Sequence, residues 1–129
     1  MTEPTLAGRK LMQVALTCRD LDRSRAFYRD TLGLPLLFEV SNMMFFQLEG
    51  LRLMIGLEHE PGKPIGGSLI YFDAPDMDAI GAALEAKGIA FTGPAFTLQK
   101  TATHELKLRE FFDPDGNALA LMGLVPLAA

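Results

Sequence analysis

Tryptophan is absent from the 129 residues, and cysteine occurs once, at Cys18. A lone thiol forms no disulfide within the chain, so the fold must rest on its core. That pattern fits a reducing compartment, and a cytoplasmic location is expected. Positive charge is also short. Twelve Lys and Arg against 16 Asp and Glu leave a formal net charge of −4. The basic residues are scattered, which argues against nucleic acid as a partner, because phosphate binding needs a basic face. Long apolar runs are missing as well. The uncharged tail from Asn117 to Ala129 contains Pro126 and falls short of the roughly 20 residues that a membrane helix needs, so no membrane partner is expected. The opening MTEPTLAGRK has no apolar centre and reads as no signal peptide. Dinucleotide, P-loop, CxxC, HExxH and GxSxG motifs are all lacking.

What is there is a weak internal repeat. DLD at 20–22 and DMD at 76–78 each follow an apolar strand-like run, LMQVALTC and SLIYFDA, and each opens a helical segment closed by glycine. The first helix is read over DRSRAFYRDTLG, with Asp20 or Asp22 as its cap, and the second over DMDAIGAALEAKG. Three strands are expected after each: PLLFEV, MMFFQLE and LRLMIGLE in the first half, and IAFTGPAF, ELKLREFF and ALALMGLV in the second. The expected class is therefore α+β, two βαβββ modules in one domain over 1–129. The first module covers 10–58, a Pro- and Gly-rich linker 59–67, and the second module 68–125. One helix covers only one face of each sheet, so the other face must curl, and two such sheets make a half-open barrel.

QVALTCRDLDRSRAFYRDTLGL and FFDPDGNALAL resemble the vicinal oxygen chelate superfamily, the group of glyoxalase I, extradiol dioxygenases, fosfomycin-resistance enzymes and bleomycin-resistance proteins. The resemblance implies paired βαβββ modules, usually in a dimer. In the family's metal enzymes it also implies an ion held by one residue from each of four strands. The first of these positions lies seven residues before the Asp that opens the helix, which is Gln13 here; its counterpart in the second half is Leu69, with Ser68 beside it. The third residue after DPDGN is Ala120, and the fourth position falls on Met54, with Arg52 and Gly56 on the same side and Glu58 at the strand end. A divalent ion needs several N, O or S donors. Leu, Ala and Met in three of four positions lead to the expectation of no metal and no cofactor.

Alternation along the strands gives the expected cavity wall: Gln13, Ala15, Met54, Leu69, Tyr71, Phe111, Ala120 and Met122, with His104 near the mouth. Gln13 reads equally as a satisfied amide or as a polar anchor for a ligand. His59 reads as a solvated linker residue and Cys18 as core. Asp73 shares the Tyr71 face and reads as a cap or a rim residue. A structural or regulatory dimer module whose cavity is filled by side chains is one reading, and two functions that involve a small molecule also stay open. One is a metal-free binding protein that holds a small apolar or aromatic molecule, as a homodimer. The other is a metal-dependent lyase or dioxygenase of the glyoxalase I type, which would need Gln13, Glu58, His59 or His104 to converge.

Overall fold

The computed structural model describes residues 7–62 and 64–127. Most of the opening segment read above for a signal peptide, Lys63 of the linker, and the last two residues lie outside the described residues. The order of elements is β1 (Gln13–Cys18), α1 (Leu21–Arg25) running into a π-helical turn over Ala26–Thr31, β2 (Leu36–Val40), β3 (Met43–Leu48), β4 (Leu51–Leu57), β5 (Leu69–Asp73), α2 (Met77–Ala86), β6 (Phe96–Lys100), β7 (His104–Phe112) and β8 (Ala118–Pro126). Each half is a strand, a helix and three strands, an α+β arrangement of two βαβββ modules.

The two sheets repeat one plan. Their strand orders are β1-β4-β3-β2 and β5-β8-β7-β6, with the first and last strands of each module paired in parallel. Parallel pairing needs a crossover, and α1 and α2 supply it. Asp20 caps α1 by accepting the Arg23 amide at 3.0 Å. The expected single helix over 22–33 instead loosens in its second half. The Leu32 amide reaches back five residues to the Phe27 carbonyl at 2.9 Å, which is π geometry.

A second departure concerns β6. The run IAFTGPAF was read as a strand, yet residues 89–95 are irregular and the strand starts at Phe96. Gly93 and Pro94 explain this: proline offers no ladder N–H, and glycine weakens a strand.

Alternate strand residues fill one continuous core. Leu16, Cys18, Met44, Phe46, Leu53 and Ile55 come from the first sheet, and Leu119, Leu121 and Phe111 from the second. Tyr28, Met77 and Leu84 come from the helical segments. The modules are tied by the turn after β7. Asp113 accepts the amides of Asp115 and Asn117 on one oxygen and the Tyr28 hydroxyl, at 2.7 Å, on the other. Asp115 accepts from Arg23 at 2.6 Å and from Ser24, while Asn117 donates to the Thr17 carbonyl. Burial and the neighbouring Asp113 charge push the Tyr28 phenol far above its ordinary range. DPDGN is thus the latch between the modules. Among the described residues no helix is long and apolar enough to cross a membrane.

Candidate functional site

The face of the first sheet away from its helix is arranged in rows. Register places Gln13, Arg52 and Gln47 side by side on β1, β4 and β3. The next row is Ala15, Met54, Phe45 and Phe38; the last is Thr17, Gly56, Met43 and Val40. Phe38 stacks on Phe45 with ring centres 4.5 Å apart, and the Arg52 guanidinium lies 5.5 Å from the centre of the Phe45 ring. The face therefore grades from polar to aromatic to small.

Over the small row opens a cleft of about 690 Å³, within the range of small-molecule sites. Ala15 and Thr17 line it from β1, Met43 from β3, and Met54 and Gly56 from β4. The turn Ser41–Asn42, Glu58 at the end of β4, and the linker residues His59, Glu60, Pro64 and Ile65 complete it. Glycine at position 56 matters here. A Cβ there would stand 3.3 Å from the Met54 sulfur, so its absence leaves room for that side chain to lie across the strand. The linker can fold back over the sheet because Gly62, Gly66 and Gly67 take positive φ, a region that L side chains rarely adopt.

Glu58, at the end of β4, is mostly buried. Its Oε2 sits 3.4 Å from Arg19 Nε yet has no hydrogen-bond partner, and the same holds for Arg52 Nε at the other end of the strand. These are the two buried side-chain polar atoms without a hydrogen-bond partner among the described residues.

The sequence-derived wall divides in three. Gln13, Ala15 and Met54 share the open face of the first sheet, and Ala15 and Met54 line the cleft. Leu69, Tyr71, Ala120 and Met122 share the open face of the second sheet, where Tyr71 pairs with Ala120 and Ala120 with Glu110. None of the four lines the cleft. Tyr71 is 48% exposed, while Ala120, set between Tyr71 and Glu110, is fully covered. His104 begins β7 on this same side, pairs with Pro126, and its Nδ1 meets the Thr103 hydroxyl at 2.9 Å.

Phe111 is a correction. It pairs with Leu119, lies in the core at 1% exposure, and packs edge-on to Phe91. Its neighbour Phe112 takes the open face. His59, read as a solvated linker residue, is exposed as expected but stands at the cleft rim. Gly56 and Glu58 were visible by alternation along β4. Met43, Asn42 and Ile65 were not, because they arrive through pairing and a linker path. Cys18 is buried in the core, and desolvation raises its thiol pKa.

The four positions that would hold a metal carry an amide, a thioether, an isobutyl group and a methyl group. Gln13 and Met54 are diagonal neighbours on one sheet, and Leu69 and Ala120 on the other. This donor set does not fit a divalent ion. Among the described residues no three His, Cys, Asp or Glu side chains come together as a metal-binding group.

Comparison with known proteins closes the assignment. Solved structures share the fold across most of both chains. One is a member of the Glyoxalase/bleomycin resistance protein/dioxygenase superfamily from Sphaerobacter thermophilus DSM 20745, 24% identical, covering 88% of this chain and 96% of its own, with a TM-score of 0.73. Another is a lactoylglutathione lyase from Agrobacterium tumefaciens, 23% identical, covering 89% and 93%, with a TM-score of 0.73. A third is TnmS3, an antibiotic binding protein from Streptomyces sp. CB03234, 24% identical, covering 93% and 99%, with a TM-score of 0.72. At these identities the likeness speaks for the fold alone. No protein of curated function matches the chain. The family model described as Glyoxalase/Bleomycin resistance protein/Dioxygenase superfamily matches residues 10–121, nearly the whole chain, and it is to this superfamily that the chain belongs.

Proposed function

We propose that the protein is a metal-free binding protein that holds a small, largely apolar or aromatic molecule in the cleft over β1, β3 and β4. The observation that carries this reading is the lining itself. A ligand-sized cleft with Ala15, Met43, Met54 and Ile65 on its walls occupies a fold whose four metal positions hold one amide and three groups that are not metal ligands here. Methionine suits such a wall, since its flexible thioether adapts to different shapes. That a protein of the same fold is an antibiotic binding protein is in keeping with sequestration without chemistry. A metal-dependent lyase or dioxygenase would need donors to converge, and the donor set does not supply them. No cofactor is proposed.

The working unit is proposed to be a cytoplasmic homodimer. Both open faces keep large apolar residues in solvent: Phe38 and Val40 on the first sheet, and Tyr71, Phe112 and Leu124 on the second. Patches of that kind are uncommon on monomers. A second copy that lays Leu69, Tyr71, Ala120 and Met122 over the first sheet would turn the cleft into a cavity.

The test is fluorescence titration with N-phenyl-1-naphthylamine, an uncharged aromatic probe. Wild type should bind it, and Ala15→Phe, which fills the cleft from an exposed position, should weaken binding by at least about tenfold. Metal analysis of the same sample should find no stoichiometric transition metal. A bound equivalent of metal that is lost in Gln13→Ala, or a wild type blind to the probe, would overturn the reading.

A further inference from the structure

Five arginines, Arg19, Arg23, Arg25, Arg29 and Arg109, each meet a carboxylate. Arg52 does not. Among the described residues neither a hydrogen bond nor an ion pair reaches its guanidinium, and its Nε is buried. This occurs in a chain with 16 Asp and Glu, where an acidic partner is easily had. Its guanidinium lies over the face of Phe45, 5.5 Å from the ring centre. Guanidinium stays charged at any working pH, and a buried donor without an acceptor is costly.

The surroundings define what would satisfy it. Gln13 stands next to Arg52 in register on the β1 side, with its side chain exposed. Gln47, on the other side, turns its amide nitrogen back to the carbonyls of Leu48 and Leu51. Two residues along β4, roughly 7 Å at strand rise, Met54 begins the apolar shelf that leads into the cleft. Glu58 closes the other end of the same strand, roughly 20 Å from Arg52 by the same rise, so negative charge is admitted at one end and repelled at the other.

Building on the proposed binding role, we infer that the ligand is an aromatic or apolar acid. Its oxyanion, a carboxylate, sulfonate or phosphate, takes the Arg52 guanidinium beside the Gln13 amide, and its ring system lies on Ala15 and Met54. Each of these groups presents two oxygens that can take the guanidinium fork with two parallel hydrogen bonds.

The experiment pairs two probes that differ in charge: 8-anilino-1-naphthalenesulfonate and N-phenyl-1-naphthylamine, which lacks the sulfonate. Each is titrated into wild type, Arg52→Met and the surface control Arg29→Gln. Arg52→Met should lose at least about tenfold in affinity for the sulfonate and less than about twofold for the neutral probe, with Arg29→Gln matching wild type for both. A second arm needs no variant. 1-Naphthoate should displace the bound sulfonate from wild type at least about tenfold better than 1-naphthamide does.

Equal displacement by the two, or sulfonate binding that survives Arg52→Met, overturns the inference while leaving the apolar cleft standing. So does an Arg52→Met protein that binds the sulfonate normally and falls apart into monomers, since that would assign the guanidinium to an interface. A wild type that binds neither probe overturns the cleft reading itself.

Discussion

The latch after β7 and the open face of β4 treat buried polar groups in opposite ways. At the latch, Asp113, Asp115 and Asn117 are buried, and each is bonded: Asp113 to Tyr28 and to two backbone amides, Asp115 to Arg23 and Ser24, Asn117 to the Thr17 carbonyl. On β4 the Arg52 Nε is buried with no hydrogen-bond partner, and just past the strand the buried Glu58 Oε2 has only an ion pair with Arg19. A satisfied buried network rigidifies and specifies a fold, whereas an unsatisfied group is a cost that the fold alone does not explain. Stability carried at the latch and forgone on β4 is the expected signature of a binding face that is completed by something else.

The comparison can be broken most sharply at Asp113. Asp113→Ala orphans the Tyr28 hydroxyl and two buried amides, and should cost about 3 kcal/mol or more in urea unfolding. Tyr28→Phe keeps the ring against Phe46 and removes only the hydroxyl, so about 1–2 kcal/mol is expected. If either variant unfolds like wild type, the latch is not what joins the modules.

Cys18 sharpens the contrast from the core side. Fully covered and with its thiol pKa raised by desolvation, it should resist an aromatic disulfide reagent in native protein and react only on unfolding. Rapid native labelling would mean that the core beside the latch opens readily.

The smallest effect is expected at the surface. The Arg25 guanidinium holds Glu39 below the ordinary carboxylate pKa. A carboxylate with a depressed folded pKa adds stability that is present above its unfolded pKa and lost as pH falls through the folded value. Glu39→Gln should therefore cost only about 0.3–0.5 kcal/mol at pH 7, because the pair is exposed, and nothing once both pKa values have been passed on the acid side. A pH-independent difference would remove the ion pair as its cause.

Much of this was legible in the sequence. The repeat of strand, helix and glycine stop gave both modules, and alternation along β1 and β4 put Gln13, Ala15 and Met54 on one face. DPDGN was read as a family mark and proved to be the latch. What alternation could not fix was register. Phe111 and Phe112 are chemically identical neighbours, and only the pairing of Phe111 with Leu119 decides which is core. The cleft was half hidden for a related reason. Met43 reaches it by antiparallel pairing with Gly56, and Ile65 by the path of a glycine-rich linker; neither long-range contact leaves a periodic trace. Nor could composition tell a bonded arginine from an unbonded one.

Urea unfolding of Arg52→Met in the absence of any ligand tests the central claim most directly. If the guanidinium is kept for a ligand and not for the fold, removing it should leave stability unchanged or raise it by up to about 1 kcal/mol, since a buried orphan donor is replaced by an apolar side chain. A loss of more than about 1 kcal/mol would show that Arg52 is already partnered within the folded protein, and would contradict the account.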